Sequence, residues 1–131
     1  LNKKNLSYIG YNGNGQQIRD VIHISDVCKL IHEQIKKFSK LHNLLLNVGG
    51  GPKNAISLKE LTKKCELITS NSIKFSKVKK TSIYDIPYFV SDNTKVSKLY
   101  KWKPEKSVDS VISDTYLWMK LNIKKLKSYF K

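Results

Sequence analysis

The chain has 131 residues, a length that suits one domain with its own hydrophobic core, and its 40% of apolar residues exclude a disordered tail. The net charge of +15 would suit nucleic acid or an anionic membrane surface. The basic residues are nearly all lysines spread along the chain, so we interpret the charge as a solvated surface and expect no nucleic-acid partner.

Residues 6–11 predict a short strand, and Asn12-Gly13-Asn14-Gly15 is typical of a tight hairpin turn, because Asn-Gly tolerates positive φ. The hairpin would return as a strand over residues 16–24. A helix is predicted to follow to about Lys40, with Ser25 as its N-cap and Asp26 favourable in its first turn. Its predicted buried stripe consists of Val27, Leu30, Ile31, Ile35 and Phe38.

The apolar run from Leu44 to Val48 predicts a buried strand of a parallel sheet. The following Gly49-Gly50-Gly51-Pro52 predicts a flexible exit loop. Ser57 and Glu60 have the spacing of a capping box, which predicts the start of a second helix. That helix is expected to run to about Ile68 and to bury Leu58, Leu61, Cys65 and Ile68.

Residues 73–78 predict a further strand. Pro87 excludes a helix centre around it, so we predict a short strand over residues 89–91. Asp92 is the predicted cap of a brief helix through Tyr100.

Trp102-Lys103-Pro104 predicts a loop, and Ser107 is the predicted cap of a last helix. The inner face of this helix is predicted to consist of Val108, Val111, Ile112, Thr115 and Met119. We place the domain over residues 1–122 and a basic tail, expected to fray, over residues 123–131.

Cysteines, histidines and the first residues give further expectations. Cys28 and Cys65 fall at apolar positions of predicted helices, so we expect buried, reduced thiols in a cytoplasmic protein. The histidines are scattered, which predicts no metal site. The start lacks both an initiator methionine and a secretory signal, which suggests a fragment or a processed product. No apolar run has the length of a membrane span, and no membrane partner is expected.

Three patterns resemble catalytic or cofactor motifs without the context that those motifs need. Residues 10–15 carry glycines at phosphate-loop spacing, but no helix is predicted after them. The glycines at 49–51 lack the Lys-Ser/Thr of a nucleotide-binding loop. Tyr116 and Lys120 have the spacing of a dehydrogenase active site, but no Ser/Thr partner can be assigned. We therefore predict no catalytic residue and no cofactor-binding residue in this chain.

Arg19 is the one arginine among the 25 basic residues. A guanidinium group is a planar fork that can bind two phosphate oxygens at once, which an ammonium group cannot do. The use of arginine at this one position, where the chain otherwise uses lysine, therefore indicates a phosphate-binding role for Arg19. The alternative is a structural ion pair with Asp20 or Asp26.

The order of the segments resembles a known family. Gln-x-Arg-Asp-Val-Ile-His-Ile-x-Asp-Val follows the glycine-rich turn; Leu-Asn-Val-Gly-Gly-Gly, Ser-Leu-x-Glu-Leu, Tyr-Asp-Ile-Pro-Tyr-Phe-Val-Ser-Asp-Asn-Thr-Lys and Trp-Lys-Pro come later. From Leu6 to about Leu121 the chain resembles the C-terminal part of extended short-chain dehydrogenases/reductases, the NAD-dependent nucleotide-sugar epimerases and dehydratases. The Tyr-Ile-Gly-Tyr lead-in and the Asp-Ile-Pro-Tyr segment resemble most the branch that acts on CDP-linked sugars.

The resemblance implies an α/β fold, the C-terminal substrate-binding portion of an extended Rossmann-type epimerase that is incomplete without its N-terminal half. In the family, that half binds NAD and carries the catalytic residues, so the isolated chain is expected to be inactive. The run 44–48 would join the parallel sheet of the Rossmann core. The complete enzyme would be a cytoplasmic homo-oligomer that isomerises a CDP-, UDP- or dTDP-linked sugar by transient oxidation.

The resemblance also implies substrate-binding residues. Arg19 matches the family arginine that contacts the diphosphate, and Asp85 matches an acidic residue that binds the nucleotide ribose. Gln17 neighbours the first substrate loop and is expected to contribute. Ser82 replaces a second phosphate-binding arginine of the family, and a serine brings no charge.

Other assignments stay open. Within the family, these are 4-epimerases of UDP-linked sugars and 4,6-dehydratases of dTDP-linked sugars. Outside it, they are a basic nucleic-acid-binding domain and a non-catalytic remnant whose exposed apolar faces make it sticky or dimeric.

Overall fold

The computed structural model describes residues 6–129, which divide into two units. Of these residues, 6–17, 57–87 and 112–129 build the first unit, and Ile18–Ile56 and Tyr88–Val111 build the second. The strands are β1 (Leu6–Ile9), β2 (Ile18–Asp20), β3 (Ala55–Ser57) and β4 (Phe75–Val78). The helices are α1 (Ile24–Lys36), α2 (Leu58–Thr69), α3 (Thr94–Tyr100), α4 (Val108–Leu121) and α5 (Ile123–Tyr129).

β1 and β4 form a parallel pair in the first unit, with Ile9 opposite Val78. The pairing continues by one residue, because the Gly10 amide donates to the Val78 carbonyl at 2.8 Å. The rings of Tyr8 and Phe75 stack across the pair with their centroids 4.6 Å apart. The two strands predicted at these positions are therefore confirmed.

The predicted hairpin is wrong, because β1 pairs with β4 while β2 pairs with β3. Residues 11–13 form a single turn in which Tyr11, Asn12 and Gly13 all have positive φ, at 46°, 63° and 66°. A Cβ on Gly13 would lie 2.7 Å from the Cβ of Lys77 in β4, so glycine is needed there. The Asn-Gly pattern thus predicted positive φ correctly, but strands far along the chain decide the pairing.

The predicted capping box is confirmed at the start of α2. Ser57 Oγ accepts the Glu60 amide at 3.2 Å, and Glu60 Oε2 accepts the Ser57 amide at 3.0 Å. The Ser57 hydroxyl, which also donates to this carboxylate, lowers the pKa of Glu60. The residues expected to be buried on α2 are only half-buried, and Leu58 is exposed, because the described residues cover that face incompletely.

The core of the second unit lies between α1, α3 and the loop after α3. Leu30, Val96, Tyr100 and Trp102 form its fully buried cluster. Half-buried apolar residues complete it: Ile22, Leu41, Leu46 and Leu99. The predicted loop at Trp102 is therefore confirmed as a loop, but its indole is a core residue.

Asp26 is completely buried beside this core. Its Oδ2 accepts the amides of Glu105 and Lys106 at 3.1 and 3.0 Å, and its carbonyl accepts the indole N–H of Trp102 at 2.9 Å. The residue that the sequence placed favourably in the first helical turn thus ties α1 to the loop after α3.

α1 begins and ends earlier than predicted. Its N-cap is His23, whose Nδ1 accepts the Ser25 amide at 3.1 Å, and not Ser25 itself. The helix ends at Lys36 rather than near Lys40. Because Asp26 and Leu30 define its buried face, the predicted stripe is wrong except for Leu30 and the half-buried Val27.

A second apolar stripe of α1 faces outward instead. It consists of Ile24, Cys28, Ile31 and Ile35, and Phe38 continues it just after the helix ends; all five residues are exposed. Ile35 and Phe38 are each 70% exposed. The expectation of a buried thiol at Cys28 is therefore wrong, whereas Cys65 is half-buried and its burial raises the pKa of its thiol.

The run 44–48 forms no strand, contrary to prediction. Leu45 is 90% exposed, and Leu44 and Val48 are exposed as well. A strand of a parallel sheet needs a neighbour to receive its hydrogen bonds, and the described part of the chain supplies none at this run.

The segment before α3 is less regular than predicted. The strand predicted over residues 89–91 does not form, and a single parallel bridge joins Ile18 to Tyr88 just before that range. The N-cap of α3 is Asn93 rather than the predicted Asp92. The Thr94 side chain and the Thr94 amide, which donates to Asp92 Oδ1 at 2.8 Å, lower the pKa of Asp92. α3 ends at Tyr100, as predicted.

The last predicted helix is confirmed as α4. Ser107 Oγ accepts the Ser110 amide at 3.2 Å, and Val108 and Ile112 are buried. Thr115, expected on the inner face, is exposed.

Residues 123–129 are helical as α5, so the expectation of fraying is wrong there, while the domain boundary after residue 122 stays a prediction. Lys120 Nζ lies 5.3 Å from the ring centroid of Tyr116, a cation–π contact one helical turn apart. No helix within residues 6–129 is long and apolar enough to cross a membrane.

The exposed stripe of α1 predicts self-association. Its members follow each other at alternating spacings of four and three residues, the spacing with which two helices pack. We expect the 131-residue polypeptide to form dimers or larger species in sedimentation velocity, and Ile31→Glu with Ile35→Glu to shift it toward monomer. Leu67→Glu, at an exposed position on α2, is the control. A wild-type chain that stays monomeric at tens of micromolar would contradict this expectation.

The capping box predicts a pH-dependent contribution to stability. Ser57→Ala should lower the free energy of unfolding by about 1 kcal/mol at pH 7, whereas Lys63→Ala on the exposed side of α2 should change it little. The folded-state pKa of Glu60 is lowered from 4.5, so its contribution is present above that pH and is lost as the pH falls below it. Urea unfolding of wild type and Glu60→Ala should therefore converge toward pH 3. A constant difference would exclude the ionised carboxylate as the cause.

Candidate functional site

Gln17 lies at the end of the first loop, which we define as residues 10–17. Its side chain is 5% exposed, and its Nε2 donates to the Ile9 carbonyl at 2.5 Å. The carbonyls of Gly15 and Gln17 accept the amides of Lys59 and Leu58 at 2.8 and 3.1 Å, so the start of α2 holds the loop from the other side. Among the described residues, Gln17 Oε1 has no hydrogen-bond partner although it is buried.

The second loop, residues 81–87, contains Ser82 and Asp85. The Asp85 amide donates to the Ser82 carbonyl at 3.1 Å, and the Tyr84 amide donates to Ser82 Oγ at 3.3 Å. The exposed Ser82 therefore shapes the turn that carries the half-buried Asp85, as serine commonly does in turns.

Tyr11 connects the two loops. Its amide donates to Thr81 Oγ1 at 2.7 Å, and its hydroxyl donates to the Asp85 carbonyl at 2.7 Å. A Cβ on Gly10 would lie 3.2 Å from Asp85 Oδ2 and 3.4 Å from Gln17 Nε2. The structure thus brings Gln17 and Asp85 together above Gly10.

Sequence analysis missed Tyr11 and Thr81. Tyr11 was part of the Tyr-Ile-Gly-Tyr lead-in on which the resemblance rested, but nothing in its local sequence indicated a contact 74 residues away. Thr81, which is half-buried, carries no sequence signal that separates it from the other threonines.

Arg19 belongs to the second unit, on β2. It is half-buried, and its Nη1 donates to the Ile18 carbonyl at 2.7 Å. Asp20 and Asp26 are the two carboxylates considered as ion-pair partners of Arg19, and both accept backbone amides. Asp20 Oδ2 accepts the Gly51 amide at 2.8 Å, and Asp26 Oδ2 accepts the Glu105 amide in the loop after α3. The phosphate-binding role of Arg19 stays a prediction.

The glycines at 49–51 form a tightly held loop rather than the flexible one predicted. A Cβ on Gly50 would lie 2.0 Å from the Val21 carbonyl oxygen, and one on Gly49 would lie 2.2 Å from Ser91 Oγ. Asn93 accepts the Gly49 amide at 3.1 Å and donates to its carbonyl at 2.9 Å. These glycines are therefore needed for close approach of the backbone.

The glycines of the first loop do not fit a dinucleotide. A dinucleotide loop ends at a helix N-terminus, which receives the pyrophosphate, whereas this loop leads into β2. Cβ atoms on Gly13 and Gly15 would lie 2.7 Å from Lys77 and 3.0 Å from the Tyr8 ring, so these glycines serve packing.

The fold is that of the NAD-dependent nucleotide-sugar epimerases. UDP-glucuronic acid 4-epimerase from Bacillus cereus, solved with UDP-glucuronic acid and NAD, matches with a TM-score of 0.76 at 22% identity, over 91% of this chain and 36% of that one. UDP-glucose-4-epimerase from Stenotrophomonas maltophila, solved with NAD and formylated UDP-arabinopyranose, matches with a TM-score of 0.75 at 22% identity, over 92% and 35%.

The sequence relatives are also named as nucleotide-sugar epimerases. CDP-paratose 2-epimerase of Salmonella typhi is 31% identical over 106 residues, which are 81% of this chain and 31% of that protein. UDP-glucuronate 4-epimerase of Thermodesulfobacterium geofontis (strain OPF15) is 31% identical over 121 residues, 88% of this chain and 34% of that protein. No protein-family model matches the chain.

The chain is thus a relative of the C-terminal part of the NAD-dependent nucleotide-sugar epimerases, and the predicted family resemblance is confirmed. It spans about a third of the length of the curated relatives that it matches.

The close approach at Gly50 predicts a large effect of a single methyl group. Gly50→Ala should destabilise the second unit by about 2 kcal/mol or more, because the added Cβ overlaps the Val21 carbonyl oxygen. Lys53→Ala, at an exposed position just beyond the loop, should change stability by less than about 0.5 kcal/mol. Equal urea midpoints for the two variants would contradict this prediction and would mean that the loop backbone shifts to accommodate the added Cβ at little cost.

Proposed function

We propose that this chain is the nucleotide-sugar-binding part of an NAD-dependent epimerase of the CDP-paratose 2-epimerase type. The complete protein would be a cytoplasmic homo-oligomer that isomerises a nucleotide sugar, with NAD accepting and returning a hydride. NAD would be bound by the N-terminal portion that the relatives have and that this chain does not cover. The 131-residue polypeptide alone would have no epimerase activity.

The convergence of Gln17 and Asp85 above Gly10 is the observation that carries this proposal. A half-buried carboxylate held by its backbone is a suitable acceptor for the hydroxyl groups of a ribose. The relatives' names include CDP- and UDP-linked sugars, which share a ribose and a diphosphate. Asp85 would bind the ribose, with Gln17 supporting the first loop.

Arg19 would bind the diphosphate. It is the chain's one residue able to bind two phosphate oxygens through a planar fork. Ser82 would add at most one hydrogen bond to a phosphate, since its hydroxyl has a single O–H to donate. The exposed Lys79 and Lys80 beside it would supply positive charge with less geometric precision.

A basic nucleic-acid-binding domain is the second candidate, favoured by the net charge of +15. It would bind phosphate groups with an affinity that falls steeply with salt and with no preference among nucleotide sugars. A nucleotide-sugar site would instead discriminate between CDP-, UDP- and dTDP-linked sugars at constant salt.

A chimera tests the function with the chain in its family context. The matched segment of Salmonella typhi CDP-paratose 2-epimerase would be replaced by this chain, and epimerisation of CDP-paratose would be followed. Arg19→Lys should raise the KM for the nucleotide sugar by about tenfold, because an ammonium group replaces a bidentate contact. Lys98→Arg, an exposed change on α3, is the control.

Two results would count against the proposal. An unchanged KM in Arg19→Lys would remove the diphosphate role of Arg19. Equal binding of oligonucleotides and nucleotide sugars by the 131-residue chain, both lost at high salt, would favour the nucleic-acid alternative.

A further inference from the structure

We propose that Tyr11 is the positioning residue of the site: it fixes Asp85 by joining the first loop to the second. This inference rests on the proposed function, because it assumes that Asp85 binds the ribose of the substrate. Tyr11 itself need not touch the substrate.

The backbone of the first loop indicates that contacts with the second loop hold Tyr11 in an unfavourable conformation. Tyr11, Asn12 and Gly13 are consecutive residues with positive φ. Glycine and asparagine adopt this region readily, but a tyrosine with a φ of 46° does so only where its surroundings force it. Strained residues of this kind concentrate at functional sites.

The left-handed turn places both polar groups of Tyr11 on the second loop. The amide reaches Thr81 Oγ1 and the hydroxyl reaches the Asp85 carbonyl, each at 2.7 Å. The two contacts lie at the first residue of the second loop and at its aspartate. The segment between them carries the Ser82 turn, so Tyr11 spans the whole turn that presents the carboxylate.

Gly10 supports the same assignment independently. Its φ of 79° favours glycine, and a Cβ at this position would make a tight contact with Asp85 Oδ2, at 3.2 Å. Gly10 therefore admits the carboxylate that Tyr11 holds by its backbone, and the two neighbouring residues define the position of one functional group.

The ratio of ribonucleotide to deoxyribonucleotide affinity tests this role. We would measure binding of CDP and of 2′-deoxy-CDP to the 131-residue chain by calorimetry. If Asp85 binds the ribose hydroxyls, the wild type prefers CDP. Tyr11→Phe removes one hydroxyl and keeps the ring, and we expect it to reduce that preference by about three- to tenfold, the worth of one well-placed hydrogen bond.

Three further variants accompany Tyr11→Phe in this test. Tyr84→Phe removes a tyrosine hydroxyl from an 87% exposed residue of the same loop and should leave the preference unchanged. Gly10→Ala should also reduce the preference, because an alanine is strained at a φ of 79° and its Cβ would lie 3.2 Å from Asp85 Oδ2. Arg19→Lys should weaken CDP and 2′-deoxy-CDP equally, since both carry the diphosphate.

A measurement without ligand completes the test. Amide hydrogen exchange at Asp85 should become faster in Tyr11→Phe and stay unchanged in Tyr84→Phe. A wild-type chain that binds CDP with a ribose preference which Tyr11→Phe retains would overturn the positioning role and leave the proposed function standing. A wild-type chain that binds neither nucleotide would overturn the nucleotide-binding function, and the positioning role with it.

Discussion

The buried carboxylate of Asp26 is the interaction on which the second unit depends. A carboxylate without exposure to water needs hydrogen-bond donors, and Asp26 Oδ2 finds two in the amides of Glu105 and Lys106. Its carbonyl binds the indole of Trp102, which belongs to the apolar core. One residue of the first turn of α1 therefore fixes both the polar and the apolar contacts of the loop after α3.

This anchoring determines which side of α1 faces inward. With Asp26 and Leu30 buried, Ile31 and Ile35 must face outward on the same helix. The unpaired run 44–48, in which Leu45 is largely exposed, adds a second uncovered apolar surface to the same unit. Exposed apolar surfaces of this kind commonly mark interaction sites in proteins.

In the first unit, long-range contacts hold together two loops that are far apart in sequence. α2 fixes the end of the first loop through its own N-terminal amides, and Tyr11 reaches the second loop through a left-handed turn. Helix amides without an internal partner and a strained tyrosine are both unfavourable alone. Both persist here because they make contacts within the unit: the α2 amides bind the carbonyls of Gly15 and Gln17, and Tyr11 binds Thr81 and Asp85.

Local sequence determined the features that depend on neighbouring residues. The Ser57–Glu60 capping box, the cap at Ser107, the end of α3 at Tyr100 and the positive φ of Asn12-Gly13 all follow from side chains within a few residues of one another. The family resemblance could also be predicted, because it depends on the order of segments rather than on contacts between them.

Tertiary structure alone decided the contacts between residues that are far apart in sequence. Strand pairing replaced the expected hairpin, because β4 offers β1 a parallel partner that no local pattern reveals. The burial of α1 was misjudged because a helix with two apolar stripes does not indicate which one is covered, and a buried aspartate settled the choice. The contact from Tyr11 to Asp85 crosses 74 residues, and only the folded chain brings its donor and acceptor within hydrogen-bond distance.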